Sequence, residues 1–269
     1  MKKTLIALVV AASAAVSGSA MAWTPNGTGG TVHLGGTLTS SSSCPTPWEV
    51  LVDGTLHTLD SPIEERTSVV HIPVEQSILF LGIRTQQNTG FYGESGISPQ
   101  INYGGKVDLS SAVKGKGTLT LEVQNQQSEK IGTLVAPYTA VGIVSFKPKT
   151  SSPRTHSVMG SSAQGNMFYG GLPTTRSTAV QDGKEAELLI GKLSSQLLDN
   201  FNNLGTTQYE TMSSIVSNDD LSNPDYLFSG AYGAGINAGE NITINLDSPV
   251  NPGETIKWKA SLPVIVTYA

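Results

Sequence analysis

The sequence predicts an all-β exported protein, and three observations carry that prediction. Charged residues make up only 14% of the chain while glycine contributes 29 residues, a balance that suits turns and half-buried sheet rather than helical surface. Short apolar runs recur along the chain, many alternating at a period of two, with Gly, Pro and Asn between them. The last run, LPVIVTYA over 262–269, stays apolar to the final residue. Leu262, Val264, Val266 and Tyr268 share one face of an extended chain there, because successive side chains point to opposite sides. An apolar strand in that position needs a partner on its edge or it aggregates. The start of the mature chain offers a candidate for such pairing. The two ends together predict a protein that completes its fold with another copy of itself.

Residues 1–22 read as a secretory signal. Lys2 and Lys3 form the positive head, 5–12 the apolar centre, and Ala20-Met21-Ala22 the small-x-small cleavage site. The apolar run is too short to span a bilayer, and no later segment has the length of a transmembrane helix. The mature chain is expected to start at Trp23 and to be soluble outside the cytoplasm. Loss of Lys2 and Lys3 takes the formal charge from -5 to -7. That acidity argues against nucleic acid or an anionic membrane as the main partner. The remaining length allows one large domain or two small ones. Cys44 is the single cysteine, so no intramolecular disulfide can form. It reads as a small buried side chain or a free thiol, with an intermolecular disulfide as the alternative.

After a turn-forming lead over 23–30, residues 31–39 (TVHLGGTLT) place Val32, Leu34, Gly36 and Leu38 on one face of a strand. A glycine inside a strand often marks close approach of another backbone. A loop follows over 40–47. Short strands are expected at 48–52, 68–74, 78–83, 100–103, 118–123, 132–135 and 140–146, and a polar loop at 151–165. Met167 to Pro173 reads as an aromatic pair followed by a turn. Residues 184–204 break the pattern. Leu189, Leu193, Leu197, Phe201 and Leu204 recur at helical spacing, Gly205 supplies a stop, and Gly191 weakens the helix. The flanking polar stretches at 174–183 and 205–225 make this a candidate inserted subdomain. A strand running into a turn over 226–239 follows, and strands at 241–246 and 256–268, with a turn at Asn251-Pro252-Gly253, then close the sheet.

Catalytic patterns are weak. His33, His57, His71 and His156 stand in no zinc-binding spacing. Gly93-Glu94-Ser95-Gly96 fails the spacing of a nucleophile elbow. The glycine run over 233–239 has one residue too many for a dinucleotide fingerprint, and a strand rather than a helix follows it. Asn218, Asp219, Asp220 and Asp225 lack the alternation of a calcium loop. Glu64-Glu65 and Glu185/Glu187 are carboxylate pairs in sequence only. Asn26-Gly27-Thr28 and Asn241-Ile242-Thr243 match a glycosylation acceptor, whose use depends on the host. Trp48, Trp258 and Tyr92 could stack on a sugar, although aromatics in strands more often belong to a core. No enzyme activity, metal or cofactor is expected.

The signal, the start Trp23 with Val32-x-Leu34-Gly35-Gly36-x-Leu38-Thr39, the internal Phe168-Tyr169-Gly170-Gly171-Leu172 and the end Trp258-x-Ala260-x-Leu262-x-Val264-x-Val266-Thr267-Tyr268 resemble Fae/Clp-type fimbrial subunits. These are chaperone–usher pilins of enteric Gram-negative bacteria. The resemblance runs along the whole chain and is strongest at its ends and after Phe168. It implies an immunoglobulin-like sandwich that lacks its last strand, built from a 23–39 donor extension and a 40–269 pilin domain with an insertion at about 173–230. A periplasmic chaperone fills the resulting groove first, and the extension of the next subunit then replaces it by β-strand addition. Val32, Leu34 and Leu38 would be the donor side chains, with Gly36 where backbones close up. Leu262, Val264, Val266 and Tyr268 would belong to the strand bordering the groove. The implied partners are the chaperone, the outer-membrane usher, neighbouring subunits and, through the insertion, a host glycan receptor. The implied location is the cell-surface fimbrium. The insertion departs from the major subunits, which points toward a minor subunit. From alternation alone, 31–39 reads equally well as the first strand of a closed sandwich. The competing functions are a self-contained secreted carbohydrate-binding module and, with less support, a periplasmic hydrolase.

Overall fold

The computed structural model describes residues 46–52, 59–158, 160, 164–206, 208–211 and 220–269. Within them the all-β expectation holds. In chain order the elements are β1 (Trp48–Val52), β2 (Val69–Pro73), β3 (Ile78–Thr85), β4 (Phe91–Tyr92), β5 (Pro99–Asn102), β6 (Val107–Val113), β7 (Lys116–Gln124), β8 (Lys130–Pro148) and β9 (Arg154–Val158). Helix α1 (Gly183–Leu193) and a 3-10 turn (Ser195–Leu198) follow, then β10 (Tyr209–Glu210), β11 (Tyr226–Ile236), β12 (Asn241–Leu246) and β13 (Ile265–Tyr268). The signal, the 31–39 segment, Cys44 and His57 lie outside the described residues.

Strand β8 is the axis of the fold. Its first half pairs with β7 and β12, and its second half with β11 and β9. β12 continues to β2, and β11 continues to β3 and then β1, all antiparallel. β13 pairs with β5 in a separate two-stranded sheet. Two strands were expected where β8 is one, and Pro137 lies between them. The geometry removes the conflict. Ala140 donates its N–H to Gly115 O at 2.8 Å, toward the β7 side. Alternation therefore turns the Pro137 nitrogen to the other edge. There β12 has ended opposite Val135 and β11 begins only opposite Thr139. A residue without an N–H costs no ladder bond in that gap.

Three other expectations are corrected. The polar loop foreseen at 151–165 contains β9, whose buried Thr155 exchanges a 2.6 Å hydroxyl hydrogen bond with Ser145 of β8. A buried pair of hydroxyls that satisfy each other leaves no apolar pattern to read. The helix foreseen over 184–204 is α1 alone. Asp182 caps it, accepting from the N–H groups of Lys184 and Glu185 at 2.8 and 2.9 Å. It stops at Ser194, which is extended, and the 3-10 turn then keeps Leu197 on the same buried surface. The strand foreseen over 256–268 is regular only in β13, with one further bridge from Lys259 to Gln124.

Ala186, Ile190, Leu193 and Leu197 pack against Leu79, Val141, Ile143 and Ala231 as a layer outside β3, β8 and β11. Two glycines let this layer approach. A Cβ on Gly82 would lie 2.3 Å from Leu197 Cδ2, and one on Gly233 would lie 3.1–3.2 Å from Leu197 and Leu193. The main core lies across the sheet. Trp48 meets Phe91 edge-on at 5.0 Å and Phe168 at 5.8 Å, and its indole N–H donates to Ile97 O at 2.8 Å. Phe168 is fully buried with φ 57, a left-handed backbone that packing must hold in place. Tyr103 and Tyr232 share a hydroxyl hydrogen bond of 2.7 Å, and Tyr232 donates to Gly171 O at 2.8 Å.

Gly233→Val should crowd Leu193 and Leu197 and cost about 1–3 kcal/mol. Hydrogen exchange is expected to show lost protection over 184–193 with β8 and β11 still protected. Burial pushes Tyr103, Tyr138 and Tyr232 well above the ordinary phenol range. Their folded state keeps its protons to higher pH than the unfolded chain does. Their contribution is therefore complete below about pH 10 and is lost as pH rises beyond it, at up to about 1.4 kcal/mol per pH unit for each group. Denaturant titrations should show that alkaline slope, reduced in Tyr232→Phe.

Candidate functional site

The chain from Ile256 to Tyr268 alternates strictly. Ile256, Trp258, Ala260, Leu262, Val264, Val266 and Tyr268 are half-buried, and the residues between them are exposed. All but Ile256 of the inward residues pack on the main core. The backbone is far less satisfied. Lys259 and Gln124 exchange N–H to O bonds at 2.9 Å, and Ala269 and Ser98 exchange theirs at 3.1 Å. The Ala269–Ser98 pair sets the phase of the β13–β5 ladder. In an antiparallel ladder alternate residues offer their N–H and C=O to opposite edges. Residues 265, 267 and 269 therefore face β5, while Val264, Val266 and Tyr268 turn theirs to the other edge. Among the described residues that edge carries no strand.

Beside this segment runs a groove of about 930 Å³. One side is formed by 254–262 together with Val264, and another by Val52 and 59–63. Between them lies the apolar face of four strands: Val70 and Ile72 of β2, Leu119 and Leu121 of β7, Leu134 of β8, and Ile242, Ile244 and Leu246 of β12. Ile78, Phe80 and Ile236 close one part of the lining. Charged groups are confined to Asp60, Glu254, Lys257 and Lys259. The far wall is equally unfinished. Val50 and Val52 share the face of buried Trp48 on β1, yet they are 40% and 46% exposed. Among the described residues, this face has no neighbour along its exposed part.

Leu262 and Val264 thus line the groove directly. Val266 and Tyr268 lie on the same face further along and pack on the core beyond it. Val32, Leu34, Gly36 and Leu38 lie outside the described residues. The groove floor was not singled out from sequence, although Leu119/Leu121 and Ile242/Ile244/Leu246 carry the period-two signal that could have found it. Of the aromatics considered for sugar stacking, Trp48 is core, Trp258 lines the groove, and Tyr92 is 60% exposed. Gly233 and Gly235 lie inside β11, not at a helix start. Asp225 pairs with Lys149 at 2.6 Å. No group of His, Cys, Asp and Glu among the described residues is placed to hold a metal ion.

A family model described as "Fimbrial, major and minor subunit" matches residues 1–269. The chain is 29% identical to the F41 fimbrial protein of Escherichia coli over 301 aligned residues. It is also 29% identical to the K88 fimbrial proteins AD and AB of Escherichia coli, over 293 and 290 aligned residues. Each of these matches covers 100% of both chains.

The apolar groove should transiently bind a hydrophobic dye in the chain freshly diluted from denaturant. Leu134→Asp, which puts a charge on its floor, is expected to reduce the dye fluorescence several-fold. Unchanged fluorescence would mean that the groove is not the accessible apolar surface.

Proposed function

The chain belongs to the family of fimbrial major and minor subunits, and on that premise we propose that it polymerises by donating residues 23–39 to the groove of the next copy. It is a pilus subunit of the cell-surface fimbrium. The observation that carries the reading is the open edge that runs from Val264, on the wall of an apolar groove of about 930 Å³, to Val266 and Tyr268 just beyond it. β-strand addition needs both parts, since the edge supplies hydrogen bonds and the groove accepts alternate side chains. Val32, Leu34 and Leu38 enter the groove, and Gly36 allows the backbones to close up. Nine donor residues reach about 30 Å at about 3.3 Å each, within the roughly 40 Å of the 256–268 wall.

The energetics are those of a permanent joint. Burying each donor aliphatic side chain contributes about 1.5–3 kcal/mol. Each new ladder hydrogen bond adds about 1 kcal/mol. Three side chains and several bonds reach the range of a whole domain's stability, about 5–15 kcal/mol. A periplasmic chaperone strand covers the groove before exchange, and the outer-membrane usher brings successive subunits together. Residues 23–43 contain no Asp, Glu, Lys or Arg, so attraction between donor and groove is apolar and backbone-based rather than ionic. In the fimbrium the subunit contributes to adhesion to host cells, as a major or a minor subunit of the fibre.

Deleting residues 23–39 should leave a subunit that still folds with its chaperone but cannot enter a neighbour, read as loss of polymer on a non-boiled gel. A full mature chain that is a stable monomer without any chaperone would overturn the reading. Proline substitutions separate the two edges of β13. Val266→Pro removes an N–H that faces the open side, so the subunit should keep its sheet content and lose donor binding. Thr267→Pro removes one that faces β5 and should destabilise the subunit itself, by roughly 1–3 kcal/mol. Donor exchange rates should change less than about twofold between low and high salt.

A further inference from the structure

The groove wall and the donor segment carry complementary patterns of side-chain size. Ile256, Trp258, Ala260 and Leu262 line the groove from the inward side of the wall. Trp258 is the largest of the four, and its neighbour in the row, Ala260, is the smallest. The donor row Val32, Leu34, Gly36 and Leu38 has one gap, at Gly36.

The wall is in phase along its length. Lys259 spends its N–H and C=O on Gln124, and Ala269 spends its own on Ser98. Side-chain direction and N–H direction alternate together in an extended chain. Every inward residue from Ile256 to Tyr268 therefore offers its backbone groups to the same open edge. A strand added there antiparallel puts facing side chains on the same side of the sheet.

Size then selects one register. With Gly36 opposite Trp258, Val32 meets Leu262, Leu34 meets Ala260 and Leu38 meets Ile256. The indole lies over the glycine, and the small Ala260 makes room for a leucine. A slip that sets Gly36 opposite Ala260 crowds Leu38 against Trp258 and leaves a void between the two smallest residues. The opposite slip carries Leu38 to Glu254, and a parallel donor holding the Gly36–Trp258 contact carries Val32 there. A slip of one residue turns the whole apolar row outward. In the selected register residues 26–38 lie opposite 268–256 one for one. Pro25 falls at a position whose N–H points away from the wall, so its missing donor costs no ladder bond.

We propose that Trp258 sets the register of the joint, with the donor antiparallel to 256–268 and Gly36 of one copy opposite Trp258 of the next. The proposal rests on the donor reading above and adds to it the residue that decides how the donor seats.

The test offers peptides of residues 23–39 to the full subunit held by its chaperone. Gly36→Leu in the peptide should slow entry into the unaltered subunit at least about tenfold, and Trp258→Ala in the subunit should restore most of that rate. Equal slowing in both subunits would overturn the role of Trp258 while leaving donor exchange intact. An unaltered peptide that enters neither subunit would overturn the donor reading, and the register with it. Cysteine pairs in fibres of a Cys44→Ser chain give a second measurement that leaves Trp258 in place. Leu34→Cys with Ala260→Cys should link neighbouring copies, since facing residues of a hydrogen-bonded pair have Cα atoms about 5.5 Å apart, within the span of a disulfide. Leu34→Cys with Leu262→Cys should not, because that pair is diagonal at about 7–8 Å. Linkage of the second pair, or of neither pair in intact fibres, would overturn the register.

Discussion

A strand with an apolar inner face and an unpaired outer backbone cannot rest in water, and the architecture of this protein turns on that constraint. Along 256–268 the side chains are already committed to the core, while Val264, Val266 and Tyr268 keep their backbone groups turned to an open edge. The opposite wall repeats the condition. Val50 and Val52 of β1 follow the face of buried Trp48 but stay exposed. Among the described residues neither wall has a strand on that side, and the apolar faces of β2, β7, β8 and β12 floor the groove between them. One inserted strand would complete both walls and fill the groove at once, because a strand carries two edges and an inward row of side chains.

The rest of the molecule holds these walls at a fixed spacing. β8 runs through both sheet regions, so the floor of the groove and the platform for the helix are one continuous strand. The tyrosine and aromatic cluster around Trp48, Phe168 and Tyr232 fixes β1 against β11 without any disulfide. The helix layer sits on the far side of β3 and β11, on a surface flattened by Gly82 and Gly233. It is therefore separated from the groove by the sheet. Variation in the helical stretch can proceed without disturbing the open edge of β13.

β13 joins two surfaces in four residues. Its inward residues continue the wall beside the groove, and its outward residues belong to a recess beside Asn102 and Tyr169. Filling the open edge would add a second ladder to a strand that now has one, and would stiffen both faces together. One strand thus carries two surfaces of different chemistry, an apolar inner face and a polar, uncharged outer recess.

Much of this was legible in the linear chain. Short apolar runs between turn residues located β1, β3, β7 and β12, and period-two alternation located the inward row of 262–268. The motifs at the two ends pointed to the family. Some features could not be read. Pro137 sits harmlessly inside β8 only because its neighbours on that edge stop and start around it. β9 is polar because Ser145 and Thr155 satisfy each other. The helix ends at Leu193 although the leucine spacing continues, since a 3-10 turn can hold Leu197 on the same surface. By itself the sequence determined that the C-terminal row is apolar on one face and that the chain is built of strands, as these are local consequences of side-chain order. Only the tertiary structure decided which backbone edge is left open and which strands floor the groove, because those depend on pairings between residues far apart in the chain.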